Sequence, residues 1–379
     1  MRILLHVGMP KAGSTALQQA LAGARDALAR RGVLYPRAPL FQDSQNFLVA
    51  GLEERRHAMP RMIRAAYEGR LDEIQPAFTK WLEGLRASVA ASRPETLVLS
   101  SEWLFGLRGS SKFDRLGELL GGLGGPGGGI EIVAYVRRPS DQYLSAIQQT
   151  LKGSHAIRPP AAVRYRTPLE GFARIAGQVH VIRYDRAAFP EGDIVRHFVA
   201  TFLPGAAEAI PPAPERSANT TISAEGMAIL AGYRKVNHRR SRGRFTADTD
   251  RLIEAMRAAD AAIGGEARPR LLPAVRDAVD GASVDVLWLR DVHGIVFDGL
   301  DYDRVAAAPP PPTIEVEGKR KRQKLRPAGI AEICVVDPDR RDELALRAMH
   351  ALATAERPGP APWRGVSLWL GGRGGRRKR

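Results

Sequence analysis

The residues best suited to chemistry lie in a short loop near the start of the chain, at residues 8–13. The loop follows an apolar segment, Arg2 to Val7, that predicts a buried strand, and it precedes apolar residues at helical spacing. Gly8 and Gly13 permit tight turns and close approach of a ligand. The start of a helix presents N–H groups and the positive end of the helix dipole, which favour phosphate. The sequence therefore predicts a phosphate-binding loop, with Lys11 as its mobile cation.

The spacing of these two glycines matches the loop of nucleoside triphosphatases, G-x-x-x-x-G-K-[ST], but the lysine does not. Position 14 is a serine where that loop has its lysine, and Lys11 instead lies two residues before Gly13. No predicted strand ends in an aspartate suited to hold Mg²⁺, because the strand Thr96 to Ser100 is followed by Ser101 and Glu102. These departures argue against an ATPase or a GTPase.

At this loop the chain resembles the PAPS-dependent sulfotransferases, especially their bacterial members; PAPS is 3′-phosphoadenosine 5′-phosphosulfate. Their phosphosulfate loop has the form P-K-[TSA]-G-[ST]-[ST] between the first strand and a helix. The resemblance implies sulfuryl transfer from PAPS to a hydroxyl or amine. It also implies an α/β fold with a central parallel sheet, related to that of the P-loop triphosphatases. The matching residues are Pro10, Lys11, Ala12, Gly13, Ser14 and Thr15.

A second match follows the segment Ile130 to Val136, which predicts a strand. The family has a strand, then R-x-P, then a serine eight residues after the arginine. This chain has Arg137, Pro139 and Ser145 at those positions. In the family the arginine and the serine hold the 3′-phosphate, which ATP lacks, and arginine chemistry suits this role because its guanidinium grips phosphate through two N–H groups. Arg138 is an alternative ligand, although the spacing favours Arg137.

A further segment, Arg216 to Glu225, resembles an R-x-N-x-S-[LI]-S-x-E stretch common in bacterial members of the family. Ser223 within it is also typical of a helix start, which needs no functional role. The resemblance extends over residues 1–300, and none is found from Pro309 onward.

The acceptor of a sulfuryl group loses a proton as it attacks, so a general base is useful. Glu102 is the candidate, because it follows the strand Thr96 to Ser100 at the edge where ligands gather. Bacterial members often have S-S-E here, and related carbohydrate sulfotransferases use glutamate. A carboxylate at a helix start is the alternative interpretation. The predicted catalytic residues are therefore Lys11, which stabilises charge on the leaving phosphate oxygen, and Glu102. Histidine alternatives are His6, His57 and His155, of which His6 lies inside the first strand.

Short apolar strands alternate with helices, which predicts an α/β fold with a central parallel sheet and helices on both faces. Helices are predicted over Ser14 to Arg31 and over Ser140 to Leu151. Gly117 to Gly129 predicts a glycine-rich surface loop. Charge-rich helices are predicted over Ser223 to Ala262, and a late helix over Asp339 to Arg357.

The chain divides by composition into four predicted parts. These are an α/β domain over residues 1–305, a proline-rich and basic linker over 306–329, a helical segment over 330–357 and a basic disordered tail over 358–379. The net charge is +16, and two short runs, Gly318 to Arg326 and Gly372 to Arg379, contain basic residues and no acidic ones. The body of the protein is therefore only mildly basic. Such runs can hold polyanions or simply keep a protein soluble.

The single cysteine, Cys334, excludes an internal disulfide and fits a reducing compartment. No signal peptide or apolar run of transmembrane length is visible, so we expect a cytoplasmic protein. No metal is expected to be required. The runner-up functions are a nucleotide kinase or other P-loop phosphotransferase and a non-enzymatic polyanion binder. We expect a carbohydrate as acceptor, and a small metabolite as the second choice.

Overall fold

The computed structural model describes residues 1–9, 11–53, 55, 58–124, 129–210, 221–240, 243–265, 268–307 and 327–355. Five parallel strands form one sheet in the order β2-β3-β1-β4-β5. The strands are β1 (Arg2–His6), β2 (Val33–Leu34), β3 (Thr96–Ser100), β4 (Ile130–Val136) and β5 (Gln178–Arg183). With helices flanking the sheet, the predicted α/β fold with a central parallel sheet is confirmed.

The helices connect the strands and form a second layer towards the end of the chain. In the first part they are α1 (Ser14–Gly23), α2 (Arg25–Ala29), α3 (Arg61–Ala66), α4 (Ile74–Ser92), α5 (Ser110–Gly124), α6 (Pro139–Leu151), α7 (Arg166–Ala173) and α8 (Ile194–Phe202). In the second part they are α9 (Ala224–Asn237), α10 (Ala247–Ile263), α11 (Pro273–Ala282), α12 (Asp285–His293), α13 (Tyr302–Ala307) and α14 (Pro338–Thr354).

Two predictions of local structure are wrong. The single helix expected over Ser14 to Arg31 breaks into α1 and α2 at Ala24, which has φ −99° and ψ 9° and follows a residue of low helix propensity, Gly23. Helix α5 extends through Gly124, although a loop was expected from Gly117. Its apolar face is buried in the core, and that packing outweighs the low propensity of its glycines.

The central strands position the site because their carboxyl ends meet at one edge of the sheet. Strand β1 pairs with β3 on one side and with β4 on the other, with His6 opposite both Ser100 and Val133. The chain leaves β1 for β2 and β3 on one side and later crosses to β4 and β5 on the other. A crevice at such a switch point is where ligands bind in open α/β sheets.

Helix α6 joins the sheet to a second apolar core. Its Tyr143, Ile147 and Leu151 pack with residues of α9, α10 and α11. Helix α14 covers the same layer, where Arg340 pairs with the buried Asp260 at 2.9 Å. The predicted helical segment 330–357 thus contains α14. Residues 308–326 of the predicted linker and the predicted tail from residue 358 lie outside the described residues.

Candidate functional site

The backbone of the predicted phosphate loop continues along β4 before it turns. Val7 N–H donates to the Val133 carbonyl at 2.9 Å, and Met9 N–H donates to the Tyr135 carbonyl at 3.0 Å. A hydrogen bond of 3.0 Å from Ala12 N–H to the Met9 carbonyl then closes a turn. Lys11 lies within this turn at φ 70°, a conformation that favours glycine. Strain of this kind concentrates at functional sites.

The first turn of α1 offers its N–H groups to a ligand. Its N-cap is Gly13, which supplies no capping side chain, and no acidic residue lies in the first turn. Ser14 is 1% exposed, and its Oγ has no hydrogen bond of good geometry among the described residues. A buried hydroxyl beside uncapped N–H groups is a cradle that an anion completes. Thr15, the next predicted contact, is exposed in the same turn, and Pro10 lies outside the described residues.

Glycine is required at both ends of this loop. At Gly13, where φ is 78°, an added Cβ would lie 2.9 Å from Ile194 and from Tyr184. At Gly8 it would lie 2.6 Å from Nε2 of His6. The loop therefore packs closely on the end of β1 and on α8.

The two neighbouring arginines at the end of β4 have different roles. Arg137 Nη1 donates to the Lys11 carbonyl at 2.9 Å, and its guanidinium lies 5.5 Å from the centre of the Tyr184 ring. Arg138 instead binds Asp280 Oδ2 through Nε and Nη2 at 2.9 and 2.7 Å, and it donates to the carbonyls of Asp298 and Gly299. Because its donors are engaged within the protein, Arg138 is a structural residue, and Arg137 is the arginine at the loop.

Ser145 lies in α6, the helix that begins two residues after Arg137. It is partly exposed, and within the described part of the chain it makes no hydrogen bond to the loop or to Arg137. The structure thus brings Arg137 into direct contact with Lys11. Ser145 lies farther along α6, about 9 Å from the start of the helix at Pro139, because an α-helix rises 1.5 Å per residue.

Lys11 lies within electrostatic range of three other cations, and we call the four residues the cation cluster: Lys11, Arg137, Lys152 and Arg257. Burial lowers the pKa of Lys11, Glu102 opposes that shift, and Arg257 and Arg137 add to it. Burial also lowers the pKa of Lys152, as do Lys11 and Arg257, while Asp250 raises it. Like charges held this close favour a bound anion.

Arg257 was not predicted as a site residue. It comes from α10, more than a hundred residues beyond the loop, and no local motif marks it. In the sequence, Arg257 falls on the polar face of an amphipathic helix, like many residues without a functional role. Only the packing of α10 against α6 and α9 shows that it lies near the loop.

Glu102 begins a 3₁₀ helix directly after β3, beside the phosphate loop. Burial raises the pKa of Glu102, whereas the nearby Lys11 ammonium and Ser14 hydroxyl lower it. Ser14 is thus close enough to stabilise the carboxylate, although it lacks the geometry of a hydrogen bond to it. These partners belong to the loop rather than to the helix that Glu102 begins. A carboxylate with a raised pKa beside a lysine is suited to proton transfer.

The histidine alternatives have other positions. His6 is fully buried in β1, and burial lowers its pKa to about 3. His155 lies in the loop after α6, between Ser154 and Ala156. His57 lies outside the described residues.

Beneath the loop, buried polar side chains bind one another in what we call the supporting network. His6 Nδ1 and Ser100 Oγ are 2.8 Å apart, and Gln18 Nε2 donates to the same Ser100 oxygen at 3.1 Å. Gln45 Oε1 accepts from Ser100 N–H at 2.7 Å. Ser101 Oγ donates to Asn46 Oδ1 at 3.0 Å. These contacts hold the ends of β1 and β3 together under the site.

A cavity of about 720 Å³ opens beside Lys11 along one face of α6, and we call it the α6 cavity. The loop after α6 and the segment 243–245 form its other walls. Its polar and aromatic lining includes Gln142, Gln149, Thr150, Ser154, Arg158 and Phe245. Of the residues predicted to bind the nucleotide, Lys11 lines this cavity, whereas Ser14, Arg137 and Ser145 do not.

The described part of the predicted segment Arg216 to Glu225 is structural. Ser223 caps α9 by accepting from Gly226 N–H at 3.1 Å, and it donates to Asp260 at 2.7 Å. Glu225 accepts from Asp337 N–H at 2.9 Å. The helix-start interpretation therefore accounts for these two residues, and residues 216–220 lie outside the described part.

No family model matches the chain, and comparisons with curated proteins and with solved structures give no match either. None of the helices that the structure describes combines the length and the apolar character needed to cross a membrane. The described residues also contain no group of three or more histidine, cysteine and acidic side chains placed to hold a metal ion.

Proposed function

We propose that this protein is a PAPS-dependent sulfotransferase with a P-loop-like sulfotransferase fold, which transfers a sulfuryl group to a hydroxyl or amine of a carbohydrate acceptor. The observation that carries the proposal is the phosphate loop itself: its Lys11 belongs to the cation cluster, and it leads into an uncapped helix N-terminus that carries the buried Ser14 hydroxyl. The single Cys334 suits a reducing compartment, and we propose the cytoplasm as the place of action.

The residues present fit the two anionic ends of PAPS. The first turn of α1, the Ser14 hydroxyl and Lys11 would hold the 5′-phosphosulfate, because this loop and helix start supply N–H, O–H and ammonium donors. Arg137 and Ser145 would hold the 3′-phosphate, and Arg137 already bridges to the loop through the Lys11 carbonyl at 2.9 Å. ADP lacks a 3′-phosphate and therefore would not use the contacts of Arg137 and Ser145.

In this reaction PAPS supplies the activated sulfuryl group. The acceptor oxygen or nitrogen forms a bond to sulfur as the bond from sulfur to the phosphate oxygen breaks. Lys11 stabilises the negative charge that develops on that phosphate oxygen. Glu102 takes the proton that the acceptor loses, and its raised pKa makes its carboxylate a stronger base than that of an ordinary glutamate. Transfer of this kind depends mainly on position and charge neutralisation.

Two alternative functions give different binding results. A P-loop kinase needs a lysine at position 14 and a Mg²⁺-binding aspartate, whereas this chain has Ser14 and a β3 end followed by Ser101 and Glu102. A polyanion binder would depend on the basic runs at residues 319–326 and 373–379, which lie outside the described residues. Deletion of both runs would abolish the function of a polyanion binder and leave an enzyme active.

The deciding experiment is calorimetric titration with adenosine 3′,5′-bisphosphate and, in parallel, with ADP. We expect the wild-type protein to bind the bisphosphate at least about tenfold more tightly than ADP, because a second phosphate contact is worth more than about 1.4 kcal/mol. We expect Arg137→Ala to remove this preference. The matched control is Arg174→Ala, which removes a half-exposed arginine paired with Asp114 on α5, away from the site.

Equal affinity for the two nucleotides would refute the sulfotransferase proposal and favour the kinase. Absence of binding to either nucleotide would refute both enzymes and favour the polyanion binder. A correctly folded Arg137→Ala protein that still prefers the bisphosphate would show that Arg137 is not the 3′-phosphate ligand.

A further inference from the structure

The α6 cavity is separate from most of the nucleotide contacts. Lys11 lines it, but Ser14, Arg137 and Ser145 do not, so a nucleotide held by these residues would leave the cavity to a second ligand. Its volume of about 720 Å³ lies within the range of small-molecule sites. Lys11 also interacts with Glu102, which joins the cavity to the predicted base.

The lining offers hydrogen bonds of both kinds. Gln142 and Gln149 present amide groups, and Thr150 and Ser154 present hydroxyls. Oε1 of Gln142 is buried and has no hydrogen-bond partner among the described residues. Amides and hydroxyls both donate and accept, which matches a ligand with many hydroxyl groups.

An aromatic ring adds an apolar surface to this polar lining. Phe245 is 54% exposed although its ring is large and apolar. It lies at the wall of the cavity, where it can cover one face of a flat or cyclic ligand. A sugar ring has hydroxyl groups at its edge and an apolar face, so its binding site needs polar groups together with an apolar surface.

The charge of the lining is positive. Arg158 and Lys11 line the cavity, and no acidic side chain does so within the described part of the chain. Arg158 is exposed, and its backbone carbonyl accepts from the Tyr143 hydroxyl at 2.7 Å, which anchors its position on α6. An arginine on an anchored loop suits a carboxylate or another planar anion.

The walls of the cavity are held in place by a buried arginine. Arg234 is fully buried, and its Nη2 donates to the carbonyls of Gly153 and Arg244 at 2.8 and 2.9 Å. Gly243 N–H donates directly to the Gly153 carbonyl at 2.5 Å. Hydrogen bonds of the protein itself thus join the two loops that close the cavity, which favours a preformed cavity.

We propose that the α6 cavity binds the acceptor, and that the acceptor is a sugar that carries a carboxylate, bound by Arg158. The inference rests on the proposed function and names its substrate class. Gln142 and Gln149 bind the sugar hydroxyls, the Phe245 ring covers one face of the sugar, and the anion lies at the Arg158 end.

The test uses two sugars that differ at one group, 4-nitrophenyl β-D-glucuronide and 4-nitrophenyl β-D-glucoside. Each is titrated by calorimetry into protein saturated with adenosine 3′,5′-bisphosphate. We expect the glucuronide to bind at least about tenfold more tightly than the glucoside, because its carboxylate gains a charge-assisted contact. We expect Arg158→Gln to remove this preference without changing affinity for the glucoside. Arg164→Gln removes the same charge from an exposed residue outside the cavity lining and should retain the preference.

Glucuronide and glucoside that bind equally, or that both fail to bind in the presence of bound bisphosphate, would overturn the inference. Competition between the bisphosphate and the glucuronide would also overturn it, because the cavity would then belong to the nucleotide. Failure of the bisphosphate itself to bind refutes the proposed function, whereas bisphosphate binding without a preference for glucuronide refutes only the acceptor assignment.

Discussion

The supporting network and the cation cluster lie next to each other at the carboxyl edge of the sheet, yet they are built in opposite ways. In the supporting network, neutral polar groups from β1, β3, α1 and the segment 45–46 bind one another, as Ser100 does with His6, Gln18 and Gln45. In the cation cluster, side chains of one charge are held close together with Glu102 and Asp250 as the counter-charges that act on its lysines. In the first arrangement the protein itself supplies most hydrogen-bond partners, although His6 Nε2 has none among the described residues, and the second arrangement becomes favourable when an anion binds.

Arg137 and Arg138 show the same contrast within two residues. Arg138 binds a carboxylate and two backbone carbonyls of the protein, whereas Arg137 makes one hydrogen bond to the loop and packs over an aromatic ring. An arginine whose donors are used by the protein stabilises the fold, and one whose donors are in part available can bind a ligand. The contrast therefore predicts which substitutions change stability and which change binding.

The largest expected effect is on stability. Arg138→Leu leaves the buried Asp280 carboxylate without its cation, since the side chains of Arg138 and Asp280 are 17% and 7% exposed. We expect the free energy of unfolding to fall by about 3–5 kcal/mol, the cost of breaking a buried pair. Urea denaturation, followed by circular dichroism, measures the change.

Arg137→Leu is the matched variant for this comparison. It should change the free energy of unfolding by less than about 1 kcal/mol while it abolishes the preference for adenosine 3′,5′-bisphosphate. If the two leucine variants destabilise the protein equally, the distinction between a structural and a binding arginine is wrong.

The next effect concerns catalysis. Burial raises the pKa of Glu102, so its active carboxylate is lost as the pH falls through a value above that of an ordinary glutamate. We expect PAPS turnover, measured as release of adenosine 3′,5′-bisphosphate, to decrease on the acid side of that pKa. Glu102→Gln should lower turnover about a hundredfold and remove this acid limb, because glutamine neither titrates nor accepts the proton.

Glu118→Gln is the control for Glu102, because Glu118 is an exposed residue of α5 and the substitution removes the same charge. Its pH profile should equal that of the wild type. An acid limb that persists in Glu102→Gln would assign the proton transfer to another group.

The smallest effect tests the supporting network. Burial lowers the pKa of His6 to about 3, so the unfolded chain binds a proton between pH 6.5 and 3 that the folded protein does not. Stability attributable to His6 is therefore complete above the unfolded pKa and decreases as the pH falls. We expect a loss of about 2 kcal/mol between pH 6.5 and 5. Urea titrations at both pH values should show a smaller loss in His6→Gln, whatever its absolute stability, and an unchanged loss would mean that His6 is not the responsible group.

Local sequence predicted the parts of the molecule whose chemistry depends on neighbours in the chain. The loop from Gly8 to Gly13, the strand before it and the helix after it are encoded by adjacent residues, and so is the helix that begins at Pro139. The structure also explains why a local prediction failed at α5. Its glycines disfavour a helix, but Phe113, Leu116 and Leu120 on one face are buried against the core, and no local rule weighs that contribution.

The sequence by itself determined the α/β fold and the types of side chain at the candidate site. The periodicity of apolar residues, the positions of glycines and the spacing of motifs are all properties of short segments. Motif spacing only favoured Arg137 over Arg138, and tertiary structure decided between these adjacent arginines, since Arg138 binds Asp280, more than a hundred residues away. It also brought Arg257 to Lys11 and joined the walls of the α6 cavity through Arg234. These features arise from contacts between distant segments, whose positions follow from packing rather than from any local pattern.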